Sequence, residues 1–246
     1  MLDNFNWLFL FGVGLVAGFV NVMAGGGSTL TMPMLIFLGL DGATANGTNR
    51  IAIFIQNISA TSSFHHHRPE SLKTALWYSL WTLPGAVIGA MVAVNVKDEL
   101  FQKILAVVII GVMISLLIPQ KSTGSSVDKS SRLIYPALVG IGFYGGFIQA
   151  GVGFFFMAAF LHILHLDLVT VNRYKVIIIL LYTIPAVAIF VLAGKVHLLS
   201  ALVLAAGNSL GAWWSAKLSI KKGEKVVRGV LVVVVCYMAL KLLNIV

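Results

Sequence analysis

The stretch NVMAGGGSTLTMPML, Asn21 to Leu35, sets three consecutive glycines inside a run that is otherwise apolar enough to lie in a membrane. Glycine weakens a helix, and in hydrocarbon a freed backbone group has no water to turn to, so a break is tolerated only where protein or a water-filled cavity covers it. The apolar piece that follows, Thr29 to Leu40, has 12 residues, whereas a spanning helix needs about 20 at 1.5 Å each. The stretch therefore predicts a half helix that begins in mid-bilayer. Its first turn would gather free N–H groups with the hydroxyls of Ser28 and Thr29 at the positive end of a dipole, which suits an anion. Gly25, Gly26, Gly27, Ser28 and Thr29 are accordingly expected to line a ligand site.

A second copy of this arrangement lies 126 residues on, where AGGG of Ala24 to Gly27 falls on AGVG of Ala150 to Gly153. The same shift brings Gly14, Leu35, Leu38, Leu40, Asp41, Thr44 and Asn46 onto identical residues, and the polar ones are hard to ascribe to composition. Another short apolar piece, Phe154 to Leu166, follows the second cluster. Further on, PGAVIGA at Pro84 to Ala90 resembles GNSLGA at Gly207 to Ala212, and there the four-residue spacing of the glycines reads as close helix packing rather than as a site. The chain reads as a duplication: a first repeat over 1–118, a polar linker over 119–132 and a second repeat over 133–246, forming one transmembrane domain.

Composition fits that reading. Of 246 residues, 59% are hydrophobic and 10% charged, with mean hydropathy +0.98, against about a quarter charged in soluble domains. Apolar runs near 7–23, 43–64, 72–95, 100–118, 133–149, 174–193, 197–216 and 226–243 leave no room for a soluble domain. The expected fold is an all-α integral membrane protein of about eight transmembrane helices plus two half helices. The formal charge of +9 lies in short clusters between spans, where it sets orientation rather than marking nucleic acid as a partner. AKLSIKKGEKVVR, Ala216 to Arg228, carries five basic residues against one glutamate and is expected to be cytoplasmic, as is the linker. With each half helix entering and returning, five membrane segments per repeat invert the second repeat against the first, with both termini outside. The first apolar run has no basic region before it and is expected to be retained.

Two spans are unusually polar. In ATANGTNRIAIFIQNISATSSF, Ala43 to Phe64, the residues Asn46, Asn49, Arg50, Gln56 and Asn57 recur at helical spacing, and Arg50 lies about 10 Å along the axis from Ala43. An ionisable group at that depth is a functional candidate. In TVNRYKVIIILLYTIPAV, Thr170 to Val187, Asn172 and Lys175 share a stripe with Tyr182 and Thr183. Arg50, Lys175 and two helix N-termini would favour an anion with several acceptor oxygens. Carboxylates are scarce: Asp41 and Asp167 stand where they would cap the following helix, which disfavours a cation carrier.

Other candidates yield to plainer readings. His65, His66 and His67 are adjacent in a loop and do not form a metal set; His162 and His165 read as packing or interfacial residues before proton relays. Cys236, alone in the last apolar run, reads as inert. The tryptophans read as an interfacial belt. No nucleotide-binding loop, G-x-S-x-G elbow or H-E-x-x-H occurs.

The G-x-x-x-G-F-x-N-x-x-A-G-G-G-S of Gly14 to Ser28, P-M-L at Pro33 to Leu35, A-N-G-T-N-R at Ala45 to Arg50, P-G-A-x-x-G-A at Pro84 to Ala90 and the second copy G-F-I-Q-A-G-V-G at Gly146 to Gly153 resemble the TauE/SafE sulfite exporter family over almost the whole chain. The resemblance implies a duplicated architecture of about eight spans and export of sulfite, sulfoacetate or a related organosulfur anion. It extends the site to Gln149, Gly151 and Gly153, although AGVGFFFMAAF departs from the family's second glycine cluster. The expectation is a secondary transporter in the cell membrane that exports a small sulfur oxyanion by alternating access. Whether a proton or a sodium ion is coupled to it stays open, no cofactor or metal is needed, and a homo-oligomer is allowed. An anion channel and, behind it, an intramembrane enzyme using Ser28 are the competing readings.

Overall fold

The computed structural model describes residues 4–65, 71–117 and 132–218. Cys236, the span expected at 226–243, His66, His67 and the linker up to residue 131 lie outside the described residues. Within them are nine α-helices and no strand: α1 (Asn4–Ala24), α2 (Ser28–Phe37), α3 (Gly42–His65), α4 (Ser71–Ala93), α5 (Asp98–Leu117), α6 (Ile134–Phe147), α7 (Val152–His162), α8 (Leu168–Leu192) and α9 (Leu198–Leu218). The stretches Leu72–Ala93, Leu168–Leu192 and Leu198–Leu218 are long and apolar enough to cross a membrane, and α2 and α7, with 10 and 11 residues, are too short to do so alone.

Aspartates start the two polar helices. Asp41 accepts hydrogen bonds from the Thr44 N–H at 3.1 Å and the Thr44 hydroxyl at 2.6 Å, and Asp167 accepts from the Val169 and Thr170 N–H groups, each at 3.0 Å. Satisfying these otherwise orphaned donors lets α8 begin at Leu168, ahead of the expected residue 174.

The distribution of side chains is the reverse of a water-soluble protein. Leu8, Trp77, Leu80, Trp81, Ile88, Met91, Leu192, Trp213 and Trp214 face outward, while Asn46, Asn49, Arg50, Gln56, Asn57, Asn172 and Lys175 are buried. Hydrocarbon outside solvates the first set, and only protein inside can satisfy the second.

Helices pair across the two halves of the chain through glycine. A methyl on Gly85 or Gly89 of α4 would lie 2.1 Å from the carbonyl oxygen of Val139 or Phe143 in α6. The same holds for Gly207 and Gly211 of α9 against Phe11 and Leu15 of α1, at 2.2 and 2.0 Å. Without a hydrophobic drive between helices in lipid, such backbone approach is what packing has to offer. An aromatic cluster of Tyr78, Phe156, Phe160, Tyr174 and Tyr182 fills the space between α4, α7 and α8.

Candidate functional site at the crossing of two broken helices

The chain breaks twice. After α1, Gly25 turns left-handed at φ 86° and its N–H bonds back to Asn21 O at 2.8 Å, before α2 starts at Ser28. After α6, Gln149 and Gly151 turn left-handed at φ 67° and 69°, before α7 starts at Val152. The breaks meet: a Cβ on Gly25 would lie 2.4 Å from the Gly153 carbonyl carbon, and one on Gly153 would lie 2.3 Å from the Gly25 Cα. Only glycine at both positions permits that approach. The half helices also end alike, Gly39 at φ 94° and His165 at φ 50° standing 126 residues apart, as do Gly25 and Gly151.

A break leaves the last carbonyls of the preceding helix without partners. Here each set is met by the polar helix from the other half of the chain. Gly146 and Phe147, ending α6, accept hydrogen bonds from α3: Arg50 Nη2 donates to Gly146 O, and Asn46 Nδ2 donates to Phe147 O at 2.7 Å. Val22 and Met23, ending α1, accept from α8: Lys175 Nζ donates to Val22 O at 2.9 Å, and Asn172 Nδ2 donates to Met23 O at 3.4 Å. Cations at helix C-termini also complement the negative end of the dipole.

The two cations are held differently. Arg50 Nη1 also donates to Gln149 Oε1 at 3.2 Å, the guanidinium lies 4.8 Å from the Phe190 ring centroid, and the Tyr182 hydroxyl donates to the same Gln149 Oε1 at 3.2 Å. Lys175 Nζ donates to Asn172 Oδ1 at 2.8 Å and points a third way towards Met157 Sδ at 3.9 Å. Both side chains are sealed, Arg50 at 0% and Lys175 at 1% exposure, and no carboxylate is buried among the described residues.

Donors outnumber acceptors at this crossing. Among the described residues, Asn49 Nδ2, Arg50 Nε and Gln149 Nε2 are buried here without a hydrogen bond against one unpaired oxygen, Asn46 Oδ1, while Asn49 Oδ1 accepts from Thr31 Oγ1 at 2.7 Å; further along α3, Gln56 Nε2 and Asn57 Oδ1 are likewise unpaired. Buried polar groups are ordinarily paired, so such a surplus marks a place able to receive acceptor oxygens.

The expected residues divide into groups. Gly25, Gly153, Asn46, Arg50 and Gln149 cluster at the junction, Asn172 and Lys175 on its α1 side, and Gly151 forms its left-handed turn. Gly26 is covered by the Phe154 ring, and Gly27 packs on Ala17 of α1. Ser28 is buried, and the Thr29 hydroxyl donates to Gly26 O at 2.6 Å, closing the first turn of its own helix. Gln56 is buried along α3. Thr31, Tyr182 and Phe190 join the network unforeseen. Tyr182 had a local signal in the stripe it shares with Lys175, and Thr31 stands three residues after Ser28. Phe190 had none.

Among the charged groups outside the spans, Asp41 is shifted: burial alone would raise its carboxyl, yet the Thr44 hydrogen bonds and nearby Lys195 outweigh this and hold it below the usual value. Lys195 Nζ lies 3.6 Å from Asp41 Oδ1.

Residues 10–242 match the family described as sulfite exporter TauE/SafE. The chain is 30% identical to the "Probable membrane transporter protein YfcA" of Escherichia coli K12, an alignment covering 98% of this chain and 94% of that protein. It is 28% identical to the "Probable membrane transporter protein" of Haemophilus influenzae, covering 95% and 92%, and 25% identical to the "Probable membrane transporter protein YunE" of Bacillus subtilis, covering 91% and 94%. No solved structure matches the chain.

Proposed function

The chain belongs to the sulfite exporter TauE/SafE family of membrane transporters, and on that premise we propose that it is a secondary transporter exporting a small sulfur oxyanion, such as sulfite or sulfoacetate, across the cytoplasmic membrane. The observation that carries the reading is the pair Arg50 and Lys175, both buried at the junction of two interrupted helices where no carboxylate is buried among the described residues. Interrupted helices in corresponding positions of two repeats are the usual setting of a central transport site. Two positive groups and three spare N–H donors suit an oxyanion, whose oxygens only accept.

In this reading the anion competes with the helix ends. Arg50 and Lys175 hold carbonyls of α6 and α1; oxyanion oxygens would take over some of those donors together with Asn49 Nδ2, Arg50 Nε and Gln149 Nε2. Each cation links helices from opposite halves of the chain, so exchanging a carbonyl for an anion loosens one half from the other. Alternating access then follows as rocking of two inverted repeats of five membrane segments each. The left-handed turns at Gly25 and Gly151 and the aspartate caps at Asp41 and Asp167 support the duplication.

The test is counterflow of radiolabelled sulfite in proteoliposomes. Saturable exchange is expected, with Arg50→Ala lowering it about 100-fold or more, since each hydrogen bond from a charged group to the anion is worth about 1.5–3 kcal/mol and the guanidinium can make two. Unchanged exchange in a variant that still reaches the membrane removes Arg50 from the site, and an ohmic current in place of exchange indicates a channel. Cysteine labelling at Ser125 and Lys222 is expected to report the cytoplasmic side for both, and external labelling of either undoes the inverted arrangement.

A further inference from the structure

Lys175 is the one buried amine at the junction, and its surroundings fit one protonation state better than the other. An ammonium carries three N–H donors and an amine two with a lone pair. Two oxygens are in place, Asn172 Oδ1 at 2.8 Å and Val22 O at 2.9 Å. In the third direction lies Met157 Sδ at 3.9 Å, a weak acceptor at long range. Asn172 has no second oxygen to offer the amine, since its other polar atom, Nδ2, is a donor and bonds to Met23 O.

Among the described residues no opposite charge is at hand. On α8 itself the titratable neighbours are Arg173, Tyr174 and Tyr182; α3 brings Arg50, α4 brings Lys73 and Tyr78, α6 brings Tyr135 and Tyr144, and α7 brings His162, exposed at its far end. The described part of α1 has no titratable side chain. Every one of these groups is neutral or cationic. Arg50, by contrast, has a guanidinium that stays charged in proteins and is covered by the Phe190 ring. The junction thus pairs one permanent positive charge with one that a proton can add or remove.

We infer that Lys175 Nζ is a proton-binding site that loads its proton together with the anion. This rests on the anion-transport reading above. Before an oxyanion arrives the nitrogen is an amine, its two N–H groups on Asn172 Oδ1 and Val22 O. When an oxyanion enters, the lone pair takes a proton from water, and the resulting third N–H has an anionic oxygen to bond. When the anion leaves on the other side the proton returns to water there, so one proton crosses with each anion.

Calorimetry on the purified protein, titrated with sulfite in buffers of different ionisation enthalpy at pH 8, counts protons taken up per sulfite bound. The wild type is expected to take up about one proton more per anion than Lys175→Met or Lys175→Arg, neither of which can load one there. Because the count is normalised to bound anion, weaker binding by a variant does not alter it. Equal counts in wild type and either variant overturn the inference; no binding of sulfite to the wild type overturns the transport reading instead. Should neither variant fold, the wild type alone decides. In proteoliposomes with the membrane potential clamped at zero, sulfite is expected to accumulate about tenfold per imposed pH unit towards the alkaline side, and indifference to the pH gradient overturns the proposal.

Discussion

The two breaks share a left-handed glycine at equivalent positions, Gly25 and Gly151, and differ in the residues around it. The first has three glycines and is followed by the hydroxyl-rich STLT. The second puts Gln149, a residue with a side chain, into the left-handed region and is followed by the aromatic FFFMAAF. Left-handed backbone costs a non-glycine residue about 1–2 kcal/mol, and at Gln149 two hydrogen bonds on Oε1, from Arg50 and Tyr182, offset it. The stitching differs in parallel: a forked guanidinium donates through two nitrogens at the second break, while a single nitrogen serves the first. The glycines permit a break, and the polar helix arriving from the other half stabilises it.

The largest expected effect breaks both sides at once. Gly153→Ala forces a methyl into the Gly25 backbone, where overpacking costs about 3 kcal/mol or more because neither main chain can retreat. Little monodisperse protein should survive size-exclusion chromatography in detergent; a variant as stable as wild type in thermal unfolding would mean that the breaks do not bear on each other.

A smaller effect sharpens the contrast between the cations. Arg50→Lys keeps the charge but cannot fork to Gly146 O and Gln149 Oε1 together. Losing one hydrogen bond to a charged group costs about 1.5–3 kcal/mol, so sulfite exchange should fall about tenfold or more. Full activity would show that the second break, like the first, is served by a single nitrogen.

The smallest effect tests the caps. Asp41 is held below its ordinary value, so its contribution to stability is complete above the unfolded-state value and fades as pH falls through the lower folded one. Asp41→Asn should cost under about 1 kcal/mol at neutral pH and flatten the loss of thermal stability below about pH 4. An unaltered acid limb would leave Asp41 without a part in it.

Much of the architecture could be read residue by residue. The glycine clusters announced the breaks because few other residues turn left-handed or admit a second backbone, and Asp41 and Asp167 announced the helix starts because a carboxylate three residues ahead of free N–H groups is a local arrangement. Gly85, Gly89, Gly207 and Gly211 pack helices, as their four-residue spacing implied. The site was legible as a set of residues but not as a set of contacts. Arg50 and Lys175 were read as aimed at a ligand, and within the chain both hold carbonyl groups of broken helices. Thr29 was read as open to an anion, and its hydroxyl closes its own first turn.

What the chain's order of residues determines alone is where it is apolar, where it breaks and which deep positions carry charge, because these follow from hydropathy, backbone freedom and the cost of ions in hydrocarbon. Which break each cation stitches was decided only in three dimensions. Arg50 and Gln149 are 99 positions apart and Lys175 and Val22 are 153, and no local period reports a contact made between opposite halves of a folded chain.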